Sequence, residues 1–376
     1  MIYHLLNEAE IFSERRGGAI SRWAANVLRT GNETIICPQY DDSWGFSGER
    51  IYCMPNWSRT DPIHPILYRL PWPLQKAAYL QVFKPLLQKL KPGDVVYVHN
   101  APESASTLAT AAESGGWRVV LHMHNSHLTR ASSGQLAALK NCTLVFVSEF
   151  LRQEIEQAFP GHFRSTHVVY NGADESRFHK SEREPTSNPT IIFTGRLVPY
   201  KGVHVLMKAM GILEQKGITA NCKIVGRAYF SSDRSTRYTR QLNRIQAANT
   251  ELVGYRSGKD LAHMLQESDI FCCPSIWNDP FPLAPLEAMA TSLPVVASKT
   301  GGLPEALAYG GGVLVPPNDP EALATALQKL IVNPEYRAGL SNAALVAFRQ
   351  HFLWSSVRRQ YEAALDGVKT PAMIAV

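Results

Sequence analysis

A chain of 376 residues with 45% apolar and 19% charged residues exceeds one hydrophobic core and is too apolar for disorder, so two folded domains are expected. The net charge of +6, carried mostly by the second half, is too small and scattered to favour nucleic acid, and no RNP-like aromatic motif accompanies it. Six cysteines without a CxxC pair, a start that turns polar after a few residues and no run of transmembrane length argue for reduced thiols, no structural zinc, no signal peptide and a cytoplasmic protein.

Near the start, Arg15-Arg16-Gly17-Gly18-Ala19 follows the expected first strand and precedes a helix from about Ile20 to Leu28. Adjacent glycines let backbone approach a ligand closely, although a plain turn needs them as well. The runs 34–37, 94–98, 118–121 and 144–147 are continuous, apolar and β-branched, and each leads into polar residues and a helical stretch. Such runs suit a parallel sheet buried on both faces. Between the first two, the segment from Pro65 to Leu90 mixes Tyr68, Trp72 and Tyr79 with Arg69, Lys76, Lys84 and Lys89. It fits an amphipathic helix packed on the sheet, and second a helix on an anionic membrane surface.

The string Val119 to His127 ends another strand and carries His122, His124 and His127. Their i, i+2, i+5 spacing without nearby acidic ligands does not suit zinc, so no metal is expected. A polar stretch with two prolines, Ser181 to Pro189, reads as an interdomain linker. The alternation then restarts with strands at 190–193, 220–225, 251–253, 269–273 and 293–297 and helices at 203–216 and 320–331. Two Rossmann-like domains in series with a cleft between them follow, and ligands are expected at the carboxyl ends of their strands.

Two loops there carry chemistry. Gly195-Arg196-Leu197-Val198-Pro199-Tyr200-Lys201-Gly202 places two cations five positions apart, a fork and a compact charge suited to phosphate oxygens. Fixed cations aimed at a phosphate stabilise charge that develops on it. Asp279-Pro280-Phe281-Pro282-Leu283-Ala284-Pro285-Leu286-Glu287 sets two carboxylates eight positions apart across a loop that opens a helix near Pro285. Glu287 is placed to accept from ribose hydroxyls; on residue grounds alone Asp279 could equally cap the helix and Glu287 stand in solvent.

This string resembles the E-x7-E signature of glycosyltransferase family 4, and Gly301-Gly302-Leu303-Pro304-Glu305 its following G-G-x-x-E segment. Gly195 to Gly202 resembles the family's G-R-x-x-x-x-K-G loop, and Tyr170-Asn171-Gly172-Ala173-Asp174 with Phe178 its P-N-G-V-D-x-x-x-F segment. The resemblance implies an α/β GT-B architecture, two Rossmann-like domains facing a central cleft. Residues 1–183 would form the acceptor domain, 184–351 the donor domain, and a last helix at about 352–370 would cross back to the first. It implies retention of anomeric configuration without metal or cofactor. Arg196, Lys201, Asp279 and His124 become the catalytic set, His124-Asn125 matching the family's His-Asp. Donor contacts fall to Gly17, Gly18, Gly195, Arg196, Lys201, Gly226, Tyr255, Arg256, Asp279, Phe281, Pro282, Leu283, Ala284 and Glu287; His99, His122 and His127 are weaker matches.

Two departures touch the sugar pocket: Asp279 stands where the family has Glu, and Pro282 where it has Gly. Looser similarity, through Val98-His99-Asn100, His122 to Asn125 and Pro274 to Phe281, points to bacterial transferases of lipopolysaccharide cores or spore coats. A UDP-sugar donor, UDP-GlcNAc among the choices, and a bacterial envelope glycan or glycolipid acceptor are therefore expected, with a peripheral contact at the inner face of the membrane. A nicotinamide oxidoreductase is disfavoured by the missing G-x-G-x-x-G turn. A non-catalytic or epimerase-like sugar-nucleotide-binding protein stays open.

Overall fold

Runs such as Thr190–Thr194 and Val95–His99, buried at every residue, leave no strand face for water, so each must lie inside a sheet covered by helices on both sides. The computed structural model builds two such sheets. It describes residues 1–13, 18–28, 31–40, 46, 50–54, 70–181, 188–228, 235–245, 247 and 249–369. Gly17, residues 65–69 of the aromatic and basic segment, and residues 182–187 of the expected linker lie outside the described residues.

The first unit comprises Met1–Tyr170 and the chain from Val357 onward. Its sheet contains β1 (Ile2–Leu5), β3 (Thr34–Cys37), β5 (Ile51–Cys53), β6 (Val95–His99), β7 (Arg118–Met123), β8 (Thr143–Phe146) and β9 (Ser165–Val168). The order is β5-β3-β1-β6-β7-β8-β9, and the pairings are parallel. Two short strands, β2 (Ile11–Phe12) and β4 (Gln39–Tyr40), pair beside it. The helices are α1 (Ala19–Val27), α2 (Trp72–Leu87), α3 (Pro102–Gly115), α4 (Ser133–Leu139) and α5 (Glu149–Ala158). Helix α2 buries Gln75, Tyr79, Phe83 and Leu86, a stripe at helical spacing that packs it within this unit.

The second unit, Asn171–Ser356, holds β10 (Thr190–Thr194), β11 (Asn221–Val225), β12 (Thr250–Gly254), β13 (Ile270–Cys273), β14 (Val295–Ser298) and β15 (Gly312–Val315). They run parallel in the order β12-β11-β10-β13-β14-β15. Around them lie α6 (Val203–Gln215), α7 (Arg237–Arg244), α8 (Gly258–Gln266), α9 (Leu283–Ala290), α10 (Leu303–Ala306), α11 (Pro320–Val332) and α12 (Pro334–His351). Helix α6 sends Val203, Leu206, Met210 and Leu213 into a core shared with Ile191, Ile224 and Leu327, again a helical stripe. Helix α13 (Trp354–Lys369) begins in the second unit and ends in the first.

The units divide at Tyr170/Asn171, ahead of the 183/184 boundary read from the sequence. Hydrogen bonds explain the difference. Asn171 Nδ2 donates to the Phe281 carbonyl at 2.8 Å and Ala173 N to the Phe352 carbonyl at 3.1 Å, so the segment before the polar stretch is already sewn into the second unit. Among the described residues no helix is long and apolar enough to cross a membrane.

In both sheets the strand order reverses, between β1 and β6 and between β10 and β13, the place where open α/β sheets take ligands. Glycine makes that edge possible in the second unit. Gly226 has φ of 150°, and a Cβ there would stand 1.8 Å from the Gly195 carbonyl oxygen. Gly211, inside α6, has open space at the same position. We expect Gly226→Ala to lose roughly 1–3 kcal/mol of stability or more through strain and clash, and Gly211→Ala to gain about 0.5–1 kcal/mol. Urea midpoints of the two variants check both signs.

Candidate active site

Strand β10 is followed by Gly195, with φ of 153°, and the chain turns through Arg196 into a single 3-10 turn, Pro199–Lys201, closed by Gly202 at φ of 72°. A Cβ on Gly202 would lie 1.8 Å from the Pro274 carbonyl oxygen, so glycine lets this loop rest on the one after β13. Ile276 N donates to the Tyr200 carbonyl at 2.9 Å and fastens them. The result brings Lys201 and Asp279, 78 positions apart, into an ion pair, with side chains only 17% and 12% exposed. Aromatic rings frame it. Tyr200 and Trp277 meet at a steep angle with centroids 5.2 Å apart; Lys201 Nζ lies 5.9 Å from the Trp277 centroid and the Arg196 guanidinium 5.5 Å from that of Tyr200.

Asp279 does not cap the next helix. Helix α9 starts at Leu283, two residues before the expected opening at Pro285, its N-cap position is Pro282, and no side chain caps it. An uncapped helix start is suited to an external anion. Glu287, one turn in, is buried at 6% exposure rather than solvated. Gly301 and Gly302 press on the Asp279 loop from β14: added Cβ atoms would stand 2.2 Å from the Asp279 oxygen and 1.9 Å from that of Pro280. Gly302 N donates to the Asp279 carbonyl at 2.8 Å. Phe281 turns inward, its ring 5.8 Å from that of Phe352, so its side chain packs the unit. Pro282, Leu283 and Ala284 are half-buried beside it.

Three adjacent strands have glycine at or just after their carboxyl ends: Gly195 after β10, Gly226 after β11 and Gly254 at the end of β12. Gly195 N donates to the Val225 carbonyl at 3.0 Å and Gly226 N to the Gly254 carbonyl at 2.8 Å, making a shelf without side chains. Tyr255 and Arg256 follow it exposed, with the Arg227 guanidinium 4.1 Å from the Tyr255 centroid. Thus Gly195, Arg196, Lys201, Gly226, Asp279 and residues 281–284 gather at the carboxyl end of one sheet.

Gly18 and His124 belong to the first unit. Gly18 precedes α1 as expected, but its amide and that of Ser21 already donate to Glu10 Oε1 at 2.8 and 3.0 Å. The carboxylate occupies the position an external anion would take. His124 follows β7, and its amide donates to Asn100 Oδ1 at 3.0 Å. Burial lowers its imidazole to about 3, so it is neutral at physiological pH and acts through hydrogen bonds rather than charge. His99 and His122 stand with it and His127 does not. Tyr200, Trp277 and Glu10 were not singled out by sequence, whereas Asn171 stands in the segment that resembles P-N-G-V-D-x-x-x-F. Their nearest signals were adjacency: Tyr200 precedes Lys201, and Trp277 lies two before Asp279.

Two parallel sheets with this order, carrying cations and an acidic loop at the switch point, define an α/β transferase of the GT-B class. Solved structures agree in fold. Sucrose-phosphate synthase from Thermosynechococcus elongatus is similar with a TM-score of 0.76 at 19% identity, over 98% of this chain and 99% of that one. Anabaena HepE in complex with UDP is similar with a TM-score of 0.73 at 19% identity, over 97% and 99%. The model of glycosyl transferases group 1 matches residues 174–345, and that of Glycosyltransferase Family 4 matches residues 24–177. The chain belongs to the family 4 glycosyltransferases. Spore coat protein SA of Bacillus subtilis is 25% identical over 287 residues, 70% of this chain and 76% of that protein. The putative colanic acid biosynthesis glycosyltransferase WcaL of Salmonella typhimurium is 29% identical over 206 residues, 52% and 50% of the two.

Removing one member of the Lys201–Asp279 pair leaves a charge largely cut off from water. In a double-mutant cycle of Lys201→Met and Asp279→Asn we expect the double variant to be more stable than the summed single effects allow, with a coupling of roughly 1–3 kcal/mol. Chemical denaturation of the four proteins measures it.

Proposed function

We propose that the protein transfers a sugar with retention from a nucleoside-diphosphate sugar, a UDP-sugar in the first place and UDP-GlcNAc among the choices, to a hydroxyl of a bacterial envelope glycan or glycolipid. The observation that carries this reading is the meeting of Lys201 and Asp279 beside Arg196 at the switch point of the second sheet. Arg196 and Lys201 take the diphosphate oxygens. Asp279 orients the Lys201 ammonium through one proton, leaving two donors for phosphate, and its loop positions the sugar near the anomeric carbon.

The glycine shelf seats the base on backbone, and Glu287 takes the ribose. His124 donates to the donor sugar or supports the acceptor side, while Gly18 receives phosphate once Glu10 gives way. Retention follows from a front-face reaction: the bond from the anomeric carbon to phosphate oxygen breaks, the acceptor oxygen bonds on the same face, and the acceptor proton passes to the leaving phosphate. No divalent ion is needed at the diphosphate, because the two side-chain cations stand where one would act. UDP bound to HepE supports the donor, and the spore-coat and colanic-acid relatives support an envelope acceptor. The exposed Leu74 and Lys84 of α2, with Lys89 just beyond its end, would supply the peripheral membrane contact.

A panel of UDP- and GDP-sugars with turnover read by released diphosphate tests the activity, and binding without turnover would identify a non-catalytic sugar-nucleotide protein instead. Arg196→Ala is expected to lower kcat by about a hundredfold or more; near-normal turnover removes Arg196 from the mechanism. Asp279→Asn should depress kcat while sparing affinity for the free diphosphate, and Glu287→Gln should mainly raise KM. Calorimetry with the diphosphate beside steady-state kinetics separates the two. Transfer should also survive exhaustive chelation, and activity that vanishes and returns with Mn2+ or Mg2+ would reject the metal-free reading.

A further inference from the structure

The carboxyl end of the first sheet holds a group of imidazoles that leaving-group chemistry does not use. His99 ends β6, His122 pairs with it in register on β7, and His124 lies two positions further on. One nitrogen from each lies within 4.8 Å of the others. His99 Nδ1 and His124 Nε2 are 3.4 Å apart, long for a hydrogen bond between nitrogens. It is, however, about the spacing of two ligands on a tetrahedral ion with bonds of about 2.0–2.1 Å.

His122 Nε2 is buried without a hydrogen-bond partner, and an orphaned buried imidazole nitrogen is costly to keep. Meanwhile the opposite ring nitrogens of two residues are held. His122 Nδ1 is 3.3 Å from Tyr97 Oη, and His99 Nε2 is 3.1 Å from His4 Nδ1, whose Nε2 is 2.9 Å from Tyr361 Oη. With His122 Nδ1–H donating to Tyr97, His99 Nε2–H to His4 and His4 Nε2–H to Tyr361, lone pairs remain at His122 Nε2 and His99 Nδ1. Partners that fix the tautomer and aim the free nitrogen are what metal-binding histidines possess.

We propose that His99, His122 and His124 bind one borderline transition-metal cation, of which Zn2+ is the type, with Tyr97 and His4 as its outer shell. The donors are three neutral nitrogens without carboxylate, a set suited to Zn2+, Co2+ or Ni2+ and not to Mg2+ or Ca2+. A water completes four-coordination beside His124, the half-buried member of the three. His124 offers Nε2 to the ion. The ion lies in the first unit and takes no part in the leaving-group chemistry assigned to Arg196 and Lys201. The sequence reading weighed His122 and His124 with His127; the parallel pairing of β6 with β7 replaces His127 by His99.

Chelator-stripped protein titrated with Zn2+ in equilibrium dialysis, and with Co2+ under visible absorption, tests the site. One tight Zn2+ per chain is expected, with a tetrahedral Co2+ spectrum displaced by Zn2+ and untouched by Mg2+. His122→Asn should abolish tight binding. Tyr97→Phe, which keeps the ring and removes only the outer hydroxyl, should weaken it about 10–100-fold with unchanged circular dichroism. His263→Ala, at an exposed histidine 3.6 Å from Glu267, should leave the tight ion in place. The proposal falls if the parent binds no tighter than His122→Asn, if Tyr97→Phe binds as the parent does, or if His263→Ala removes the ion.

Discussion

Backbone meeting backbone without room for a Cβ is the constraint on which the second unit of this protein depends. Gly202 on Pro274, Gly226 on Gly195 and Gly302 on Pro280 each bring a carbonyl within 2 Å of where a side chain would begin. These contacts, rather than any ion pair, fix the distances between the loops after β10, β11, β13 and β14. The Lys201–Asp279 pair is a consequence of that spacing. With the loops one side chain further apart the two charges would face water separately, and a surface pair contributes little.

The second sheet was legible because its strands are continuous apolar runs and its loops carry glycine, proline and charge at fixed offsets. The runs at 190–193 and 269–273 lie within one residue of β10 and β13. What escaped reading were short or half-buried strands such as β5 and β9, whose pattern has neither alternation nor a long apolar run. The site was legible where chemistry and backbone coincide in sequence, as at Gly195 to Gly202. It was not legible where distant segments supply a ring or a competing carboxylate. Glu10 at the start of α1 is the clearest instance, since nothing local marks a glutamate eight positions earlier as the partner of a glycine amide.

The first unit follows another logic. Its central strands β1, β6 and β7 bury His4, Tyr97, His99 and His122 where the second unit buries isoleucine, phenylalanine and cysteine. Burial lowers those imidazoles well below their ordinary value, so they persist as neutral hydrogen-bonding groups, His99 tilted against Trp23 and His122 edge-on to it. A polar centre of this kind contributes less hydrophobic stabilisation than an aliphatic one, but its hydrogen bonds admit few alternative packings. The two sheets share a strand order and differ in what they put beneath it.

The return of α13 has a consequence for the order of biosynthesis. Tyr361, fully buried, packs against His4, Trp23 and Tyr97, all of which leave the ribosome at least 264 residues earlier. Translation proceeds at about 5–20 residues per second, so that aromatic surface waits on the order of 10–50 s for the residue that covers it. During that interval the second unit, continuous from Asn171 to Ser356, can complete its core. The half of the protein made first is therefore finished last, and its nascent form exposes an indole and an imidazole floor to chaperones and to other chains.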